Sequence, residues 1–372
     1  MAIGAFEYTG RWQRDARKGD NGVVKTLHLP VDPAHLETPS AIEALDRAAT
    51  ILRHGGLVAL PTETVYGLGA NALDPEAVRR IFAAKQRPAW DPIIVHIADT
   101  ATLDELAEEI PDAALRLMQR FWPGPLTLLL PRTSAVPDAV TAGRRLVGIR
   151  MPAHAVALEL IRRAAVPIAA PSANRFAHIS PTTAAHVLHD LKGRIEAVLD
   201  AGPTPRGVES TVLDPSTSPM TIYRPGAVTA EQIREAAGPV EMFEEQEGAS
   251  GEPIEPLPSP GAGLRHYAPK AKLVLIGAPE RQLGARLADA ARDRKREVLG
   301  VMLPDGVAAP AEIDAARVFA WGAWDAPEEL AKRLYAGLRA LDAAGCTVIL
   351  CPLPRAEGLG AAIRDRLHKA AR

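Results

Sequence analysis

Hydroxyl groups and a carboxylate follow directly after the first strongly apolar stretch of the sequence. The apolar residues 57–60 predict a buried strand that ends at Pro61. Four polar side chains come next, before Gly67 and Gly69 close the loop: Thr62, Glu63, Thr64 and Tyr66. Because removing such groups from water costs free energy, a strand end that gathers them usually belongs to a binding site.

Cationic and titratable residues that could bind phosphate follow downstream. Lys85 and Arg87 stand at the end of a predicted helix, directly before Pro88, and His96 lies within the apolar segment 93–97. Phosphate binding favours the point charge of a lysine beside the planar fork of an arginine. From the residues alone, the two cations could also be solvated groups at a helix C-terminus, and the histidine could belong to the core.

Arg150 ends another predicted strand, residues 146–150, and is followed by Met151 and Pro152. Proline disfavours helical geometry for the residue before it. Arg150 therefore closes a strand at a loop, where a ligand carboxylate could reach it. A surface ion pair is the alternative interpretation.

Hydroxyl and amide groups recur after the predicted strand 167–170, at Ser172, Asn174 and Ser180. They could shape turns, and the sequence Ser180-Pro181-Thr182 could cap a helix over 182–191. The same groups could hold phosphate at a helix N-terminus. Both interpretations can hold together.

Two other nucleotide-binding patterns are disfavoured. Residues 67–72 formally fit the glycine fingerprint of dinucleotide folds, yet the preceding turn is crowded with polar side chains and the next helix begins only at Asp74. The sequence contains no Gly-x-x-x-x-Gly-Lys-Ser/Thr segment. A bound nucleotide would therefore be held by cationic side chains.

Composition narrows the class of protein. A chain of 372 residues predicts two domains. A formal charge of −2, from 43 basic and 45 acidic residues, argues against a polyanion-binding coat. Cys346 and Cys351 are interpreted as small apolar side chains in a reduced compartment. No apolar segment approaches the roughly 20 residues that span a bilayer, and residues 1–25 lack a signal-like apolar core, so a cytosolic location without membrane contact is expected.

Alternating strand and helix patterns predict an α/β fold, a twisted mixed sheet covered by helices. Ser40 and Glu43 suggest a capping box at the first helix, and Asp74-Pro75 predicts the start of a helix that runs to Gln86. Further strands are expected at 93–97, 126–131, 146–150, 167–170, 197–200, 210–214 and 220–224. Further helices are expected at 102–109, 111–121, 154–165, 182–191 and 229–237.

The composition changes after Glu241, where Glu, Gly, Ser and Pro dominate and periodicity is lost. Residues 243–269 are therefore predicted to be a linker. Beyond it, strands at 272–276, 297–303, 316–321 and 347–350 alternate with helices at 279–293, 327–344 and 358–370, which predicts a smaller Rossmann-like α/β domain. The predicted organisation is an N-terminal extension (1–30), a first domain (31–242), the linker and a C-terminal domain (270–372).

The ordered motifs of the chain resemble the YrdC-like family, in its longer, two-domain form. The motifs are Pro-Thr-Glu-Thr-Val-Tyr-Gly-Leu at 61–68, Lys-x-Arg-Pro at 85–88, Trp-Pro-Gly-Pro-Leu-Thr at 122–127, Gly-Ile-Arg-Met-Pro at 148–152, Ala-Pro-Ser-Ala-Asn at 170–174, Gly-Val-Glu-Ser-Thr at 207–211 and Arg-Pro-Gly at 224–226. The resemblance implies condensation of L-threonine, bicarbonate (or carbon dioxide) and ATP to a threonylcarbamoyl-adenylate and pyrophosphate.

The resemblance also implies roles for individual residues. Lys85 and Arg87 are expected to be catalytic. The expected threonine-binding residues are Thr64, His96, Arg150, Ala170 and Ser210. The expected ATP-binding residues are Arg87, Asp91, Leu146, Ser172, Asn174, Ser180, Arg224 and Tyr267. Asp91 replaces an asparagine that is expected in the family, and an anion there suits phosphate poorly unless a metal bridges them.

Expected cofactors and partners follow from the same resemblance. Mg²⁺ is expected to enter with ATP, without a metal site built by the protein. The product is expected to feed the tRNA threonylcarbamoyl transferase machinery, and a direct RNA contact is left open. The linker, with Leu264, His266 and Tyr267, is expected to lie over the site and exclude water.

Two other functions use a similar domain. One is carbamoyl transfer, as in multidomain hydrogenase-maturation proteins, although this chain lacks their zinc-finger Cys-x-x-Cys pairs and acylphosphatase-like segment. The other is a non-enzymatic module that binds double-stranded RNA. Threonine-dependent release of pyrophosphate distinguishes the synthase from both.

Overall fold

The structure is a computed structural model that describes residues 24–243 and 266–372 and builds them around two β-sheets. Its strands are β1 (Leu27–Pro30), β2 (Val58–Leu60), β3 (Gly67–Asn71), β4 (Val95–His96), β5 (Leu126–Pro131), β6 (Leu146–Arg150), β7 (Ile168–Ala169), β8 (Ala197–Asp200), β9 (Thr211–Asp214), β10 (Met220–Arg224), β11 (Val240–Met242), β12 (Lys272–Ile276), β13 (Leu299–Pro304), β14 (Val318–Gly322) and β15 (Val348–Pro352).

Helices connect most of these strands. The α-helices are α1 (Pro39–Arg53), α2 (Pro75–Lys85), α3 (Leu103–Leu106), α4 (Asp112–Phe121), α5 (Asp138–Thr141), α6 (Ala155–Ala164), α7 (Ala184–Leu191), α8 (Ala230–Ala237), α9 (Glu280–Arg292), α10 (Pro327–Ala343) and α11 (Leu359–Ala371). Short 3₁₀ turns occupy Thr100–Thr102 and Ala315–Arg317.

The first sheet is mixed, as predicted. Its eleven strands run in the order β1-β8-β2-β3-β7-β4-β6-β5-β9-β10-β11. Half of its ten strand pairs are parallel and half antiparallel. β1 lies inside the segment 1–30 that was predicted as an extension, and it pairs with β8, so residues 27–30 belong to the sheet.

Helices cover both faces of this sheet. On one face α1 and α6 pack together, and small residues such as Ala44, Ala48 and Ala157 let the two helices approach closely. On the other face α2, α4 and α7 bury Val78, Leu117 and other apolar residues in a separate cluster. The sheet is therefore desolvated on both sides, and its strand ends are where polar groups can be placed.

The predicted N-cap of α2 is confirmed, but the N-caps predicted for α1 and α7 are wrong. The Asp74 carboxylate accepts hydrogen bonds from the backbone N–H groups of Glu76 and Ala77, and Pro75 occupies the first turn. Helix α1 begins two residues earlier than a Ser40 cap requires, and its N-cap, Thr38, makes no side-chain hydrogen bond. Because Pro39 already provides the fixed φ of a first helical residue, the helix begins there.

The helix predicted over 182–191 begins at Ala184, and Thr183 provides its cap by accepting from the N–H of His186. Ser180 and Thr182 are buried before that helix. The strand predicted over 93–97 pairs only at Val95–His96. Tertiary contacts decide where these elements begin and end. For the helix, each of several consecutive hydroxyl residues could serve as the cap.

The second sheet is entirely parallel, with the order β12-β15-β13-β14, and forms the doubly wound arrangement that was predicted. Cys346 and Cys351 are buried and unbonded to each other, as predicted for small apolar side chains. Of the helices in the described ranges, none is both long and apolar enough to cross a bilayer.

The two sheets are connected by a shared apolar cluster. Val65, Ile179 and Val208 from the first part of the chain pack with residues of α10 such as Leu330 and Leu334. The predicted linker lies between β11 and β12, but residues 244–265, including Leu264, fall outside the described residues. Among the described residues, the two parts of the chain are thus in contact through an apolar interface.

We expect Asp74→Ala to lower the free energy of unfolding by about 1 kcal/mol, because it removes the acceptor for two N–H groups at the start of α2. Ser40→Ala is the matched control and should change it by less than about 0.5 kcal/mol, since Ser40 lies exposed inside α1 and caps nothing. Urea unfolding followed by circular dichroism gives both values. Equal losses for the two variants would contradict the assignment of the caps.

Candidate active site

A pocket of about 540 Å³ opens where strand ends of the first sheet meet. β4 and β6 are parallel, so their carboxyl ends lie side by side and His96 pairs in register with Arg150. The segments after β2 and β7 complete the wall. The lining residues are Thr62, Thr64, Val65, Gly67, Arg87, Ile94, His96, Arg150, Ala170, Pro171, Ser172, Glu209, Arg224, His266 and Tyr267.

The loop after β2 is held by its own hydroxyl groups. The Thr62 hydroxyl donates to the carbonyl of Val65 at 2.6 Å and accepts from the N–H groups of Thr64 and Val65. The Thr62 and Thr64 hydroxyls are 2.8 Å apart. This local hydrogen bonding fixes the loop before any ligand binds, with the Thr64 hydroxyl in the pocket wall.

Arg150 is oriented by three groups. Its Nε donates to the carbonyl of Gly124, and its Nη1 donates to the Thr64 hydroxyl, both at 3.1 Å. Its Nη2 lies 2.6 Å from a carboxylate oxygen of Glu63, which is also buried. Arg150 ends β6, as predicted, and lines the pocket. The sequence analysis did not predict Glu63 as its partner.

His96 is a neutral imidazole in the wall of the pocket. Burial, and then the positive charge of Arg150, lower the pKa of His96 to about 3. Its Nδ1 has no hydrogen-bond partner among the described residues. A buried ring nitrogen without a partner in a pocket wall is a group that a ligand can satisfy.

Lys85 and Arg87 are buried, which corrects the expectation of an exposed helix end. Gln86 adopts a left-handed conformation at the end of α2 and turns the chain inward. The Lys85 ammonium donates to the carbonyls of Ser172 and Asn174 at 2.5 and 2.6 Å. Lys85 therefore supports the loop after β7 from behind and does not line the pocket, whereas Arg87 does.

Asp91 is neutralised by its neighbours. Its carboxylate lies 2.8 Å from Arg87 Nη2 and 3.6 Å from His266 Nε2. Burial would raise the pKa of Asp91, but the charges of Arg87 and then His266 outweigh it and lower the pKa. Arg87 thus offsets the negative charge of Asp91 inside the protein, and Asp91 lies outside the pocket wall.

Eight of the predicted site residues line the pocket, and six do not. The eight are Thr64, Arg87, His96, Arg150, Ala170, Ser172, Arg224 and Tyr267. The six are Lys85, Asp91, Leu146, Asn174, Ser180 and Ser210. Leu146 stands at the opposite end of β6 from Arg150 and packs against the apolar cluster of Ile94, Leu129 and Val212.

The other residues outside the wall contact residues that line it or shape its loops. The Ser180 hydroxyl donates to Glu209 at 2.6 Å. The Ser210 hydroxyl accepts from Arg224 Nη2 at 3.1 Å and lies 2.8 Å from the Thr127 hydroxyl. The Asn174 amide donates to the carbonyls of Arg175 and His178.

Glu209 is a wall residue that sequence reasoning did not assign to the site, and His266 was expected there only as part of the linker. Glu209 lies in the Gly-Val-Glu-Ser-Thr motif, and His266 precedes Tyr267, so both stood beside assigned residues. The ring of His266 lies edge-on to Phe176, with centroids 5.1 Å apart, and tilts against Tyr267 at the same distance. Burial, and then the charge of Glu209, raise the pKa of Tyr267 to about 12, so it is a neutral phenol.

The arrangement suits an anionic ligand with several charged groups. Arg87, Arg150 and Arg224 line the pocket, and Glu209 is the carboxylate among the lining residues. Each of these guanidinium groups also donates to a main-chain carbonyl, which orients it without adding negative charge. A buried cluster of oriented arginines can bind carboxylate and phosphate groups with bidentate geometry.

Comparisons with known proteins agree with this picture over both parts of the chain. Residues 50–226 match the Sua5, YciO and YrdC family model, which is described as telomere recombination. Residues 228–372 match the model described as the C-terminal domain of threonylcarbamoyl-AMP synthase.

Curated relatives carry the same name. A threonylcarbamoyl-AMP synthase of Pyrococcus abyssi is 45% identical over 87% of this chain and 92% of its own length. One of Bacillus subtilis is 44% identical with the same coverage of both chains. The crystal structure of P. abyssi Sua5 complexed with L-threonine matches with a TM-score of 0.84 and 42% identity, over 93% of this chain and 98% of that one.

The neutral state of His96 makes stability depend on pH. The folded-state pKa is about 3, below the ordinary value of 6.5, so the unfolded chain binds the proton first as the pH falls. The free energy of unfolding should therefore decrease from about pH 6.5 downward, and His96→Gln should reduce that decrease. Urea unfolding at a neutral and an acidic pH measures it.

His368→Gln is the control, because His368 is exposed on α11. It should keep the pH dependence of the wild-type protein. If His96→Gln and His368→Gln gave the same dependence as the wild type, His96 would not be held neutral in the folded state.

Proposed function

Because this chain belongs to the family of threonylcarbamoyl-AMP synthases, we propose that the pocket lined by Thr64, Arg150 and Arg224 is where it joins L-threonine, bicarbonate and ATP. The enzyme is a nucleotidyltransferase that makes threonylcarbamoyl-AMP, releases pyrophosphate and serves tRNA modification. The observation that supports this location is the convergence of three guanidinium groups on a pocket in which Glu209 is the one carboxylate among the described lining residues.

The chemistry explains why such a pocket is needed. The threonine amine forms a carbamate, either by adding to carbon dioxide with loss of a proton or by condensing with bicarbonate with loss of water. A carbamate oxygen then attacks the α-phosphorus of ATP, the bond to the bridging oxygen breaks, and its electron pair leaves with pyrophosphate. Both reactants are anions, so positive charge must offset their repulsion and stabilise the charge that develops at phosphorus.

The threonine subsite in this proposal is the side of the pocket formed by Thr64, His96, Arg150 and Ala170. The guanidinium of Arg150 binds the substrate carboxylate and also contacts Glu63, whose carboxylate oxygen lies 2.6 Å from Nη2. The neutral His96 bonds a polar group of threonine through its ring nitrogen, since an imidazolium so near Arg150 would be repelled. Ala170 leaves room for the threonine methyl group.

The nucleotide subsite in this proposal is formed by Arg87, Ser172, Arg224 and Tyr267. The two guanidinium groups bind phosphate oxygens, and the Tyr267 ring covers the nucleotide. Asn174, Ser180 and Asp91 act on ATP by holding these groups in place, because they lie outside the pocket wall. Ser210, which was expected to bind threonine, also lies outside the wall and accepts a hydrogen bond from Arg224. Leu146 stands behind Ile94, so any contribution to ATP binding would be through packing.

Lys85 contributes to this subsite through its charge and through the loop that it holds. Burial, and then the charge of Arg87, lower the pKa of Lys85 well below its ordinary value in the ligand-free protein. The negative charge of a bound triphosphate favours the protonated ammonium. We therefore expect Lys85 to stabilise the phosphates from behind the Ser172 carbonyl.

Mg²⁺ enters as part of the substrate, MgATP. In the two described ranges no group of three or more His, Cys, Asp or Glu side chains is placed to hold a metal ion. The carboxylate oxygens of Glu209 in the pocket wall accept hydrogen bonds from Ser180, Tyr335 and Arg366. Phosphate oxygens and water would thus be the ligands of the ion, which suits the preference of Mg²⁺ for a partly hydrated shell.

The product needs a consumer, because a mixed anhydride of a carbamate and a phosphate is reactive. We propose that the tRNA threonylcarbamoyl transferase machinery takes it up in the cytosol and transfers the threonylcarbamoyl group to adenosine beside the anticodon. Neither the carbamoyl-transfer role nor the RNA-binding role requires a threonine-dependent reaction with ATP.

The activity is tested directly with the purified protein, MgATP, bicarbonate and labelled threonine. We expect pyrophosphate release that depends on threonine, and a labelled adenylate that is separable by chromatography. Omission of bicarbonate in degassed buffer is the control and should abolish the product. Pyrophosphate release without threonine, and no labelled adenylate, would favour another reaction of the same domain.

Arg150→Lys should weaken threonine binding more than ATP binding, because lysine cannot reproduce the planar fork that meets Thr64, Glu63 and a carboxylate together. The expected loss is about 1–3 kcal/mol, the range for a charged hydrogen bond that is left unmade. Steady-state kinetics give KM for each substrate.

Arg163→Lys is the matched control, because Arg163 lies on α6 away from the pocket in an ion pair with Asp46. It should leave both KM values unchanged. A raised KM for ATP with an unchanged KM for threonine would show that Arg150 belongs to the nucleotide subsite.

A further inference from the structure

Two side chains of the C-terminal part of the chain reach the wall of the pocket from behind. Tyr335 lies on α10 and Arg366 on α11, and both are completely or almost completely buried. Neither lines the pocket. They contact Glu209 and Tyr267, which do.

Glu209 is the point at which the two parts of the chain meet. One carboxylate oxygen accepts from the Ser180 hydroxyl at 2.6 Å. The other accepts from the Tyr335 hydroxyl at 2.9 Å and from Arg366 Nε at 2.8 Å. Two of its three donors therefore come from α10 and α11, and the Arg366 charge compensates the carboxylate that faces the pocket.

The same two residues hold the ring of Tyr267. Tyr335 stacks on it, with centroids 5.8 Å apart and planes inclined by 24°. The Arg366 guanidinium lies 5.3 Å from its centroid on a cation–π contact. Tyr267 itself has a φ of 64°, so its backbone conformation depends on such surrounding contacts.

Arg366 also reaches the segment that carries Arg224. Its Nη2 donates to the carbonyl of Pro225 at 3.0 Å. Arg366 thus contacts Glu209, an aromatic ring and a main-chain carbonyl, each in or next to a residue of the pocket wall, and its Nη1 also pairs with the neighbouring Asp365 at 2.5 Å. A single guanidinium with five N–H donors is suited to hold three such groups at fixed positions.

The main chain is tightly packed at this junction. A Cβ atom on Gly207, whose φ is 74°, would lie 2.4 Å from the carbonyl oxygen of Ala331 and 2.5 Å from the Cα atom of Lys332. The loop segment that leads to Glu209 therefore lies directly against α10. Separate contacts, such as the ion pair of Arg339 with Asp190 at 2.7 Å, hold the two parts together independently of Glu209.

We propose that Arg366, assisted by Tyr335, is a positioning residue for the nucleotide: it neutralises Glu209 and fixes Tyr267, so that the C-terminal domain completes the ATP subsite. This inference rests on the proposed function of the pocket. Without Arg366, the carboxylate in the wall repels the triphosphate. The threonine side of the pocket, at Arg150 and His96, does not contact Arg366 and should be unaffected.

The experiment measures ATP binding by calorimetry in the full-length protein, and KM for ATP and threonine. Arg366→Met should weaken ATP binding about tenfold or more, since it leaves a buried carboxylate without its charged partner. KM for threonine should change by less than about twofold, within the scatter expected for an uncoupled site. Arg366→Lys keeps the charge and should lie between the wild type and Arg366→Met.

The double variant Glu209→Gln with Arg366→Met distinguishes charge from packing. If repulsion by Glu209 is the cause, removing its charge should restore ATP binding to within about threefold of the wild type. Arg364→Met on the same helix is the control, because Arg364 donates to the carbonyl of Pro354 and stands two positions before Arg366, on a different face of the helix. It should behave as the wild type.

Tyr335→Phe gives an independent test that does not depend on how well Arg366→Met folds. It removes one hydroxyl and keeps the ring that stacks on Tyr267, so the variant should fold and bind ATP more weakly. Equal ATP binding by the wild type, Tyr335→Phe and a folded Arg366→Met would overturn this inference alone. A wild-type protein that binds no ATP would overturn the proposed function with it.

Discussion

Concentrated positive charge in a buried pocket is the constraint on which this structure depends. Three arginines face the cavity and a buried lysine stands behind it, and each loses hydration when the chain folds. Main-chain carbonyls accept from Lys85, Arg87, Arg150 and Arg224 and so stabilise these cations. Carboxylates also pair with two of them, Asp91 with Arg87 and Glu63 with Arg150, while Glu209 pairs with Arg366. The cations of the pocket and its surroundings outnumber these carboxylates, as the proposed binding of two anionic substrates requires.

The mixed sheet is the scaffold that makes this arrangement possible. Parallel pairing of β4 with β6 places His96 beside Arg150. Antiparallel pairing of β4 with β7 brings Ala170, which follows β7, next to Ile94, which precedes β4. Helices on both faces exclude water from the strands, so polar groups can emerge only at their ends. A site built on strand ends is rigid, because the sheet hydrogen bonds fix the backbone from which each side chain projects.

The C-terminal domain is part of this electrostatic balance. Glu209 is the lining carboxylate of the pocket, and its compensating cation is Arg366, more than 150 residues later in the chain. An uncompensated buried carboxylate would cost folding free energy and would oppose a triphosphate. The contacts of Glu209 therefore affect both the stability of the fold and the charge of the pocket wall. The apolar cluster that contains Val208 and Leu334 packs the two parts of the chain against each other.

The sequence by itself determined the α/β class, the mixed and parallel sheets, the Asp74 cap and most of the residues that line the pocket. The fold class, the sheets and the cap follow from local patterns, namely apolar runs and a capping residue before proline. The pocket residues follow from polar groups at strand ends together with the resemblance of the ordered motifs to a known family. It did not determine that Lys85 is buried behind the Ser172 loop, that Ser180 bonds Glu209 instead of capping α7, or that Glu63 partners Arg150. It also could not assign the roles of Tyr335 and Arg366. Each of these depends on contacts between residues distant in the chain, and only the tertiary structure decides which carbonyl or carboxylate a long cationic side chain meets.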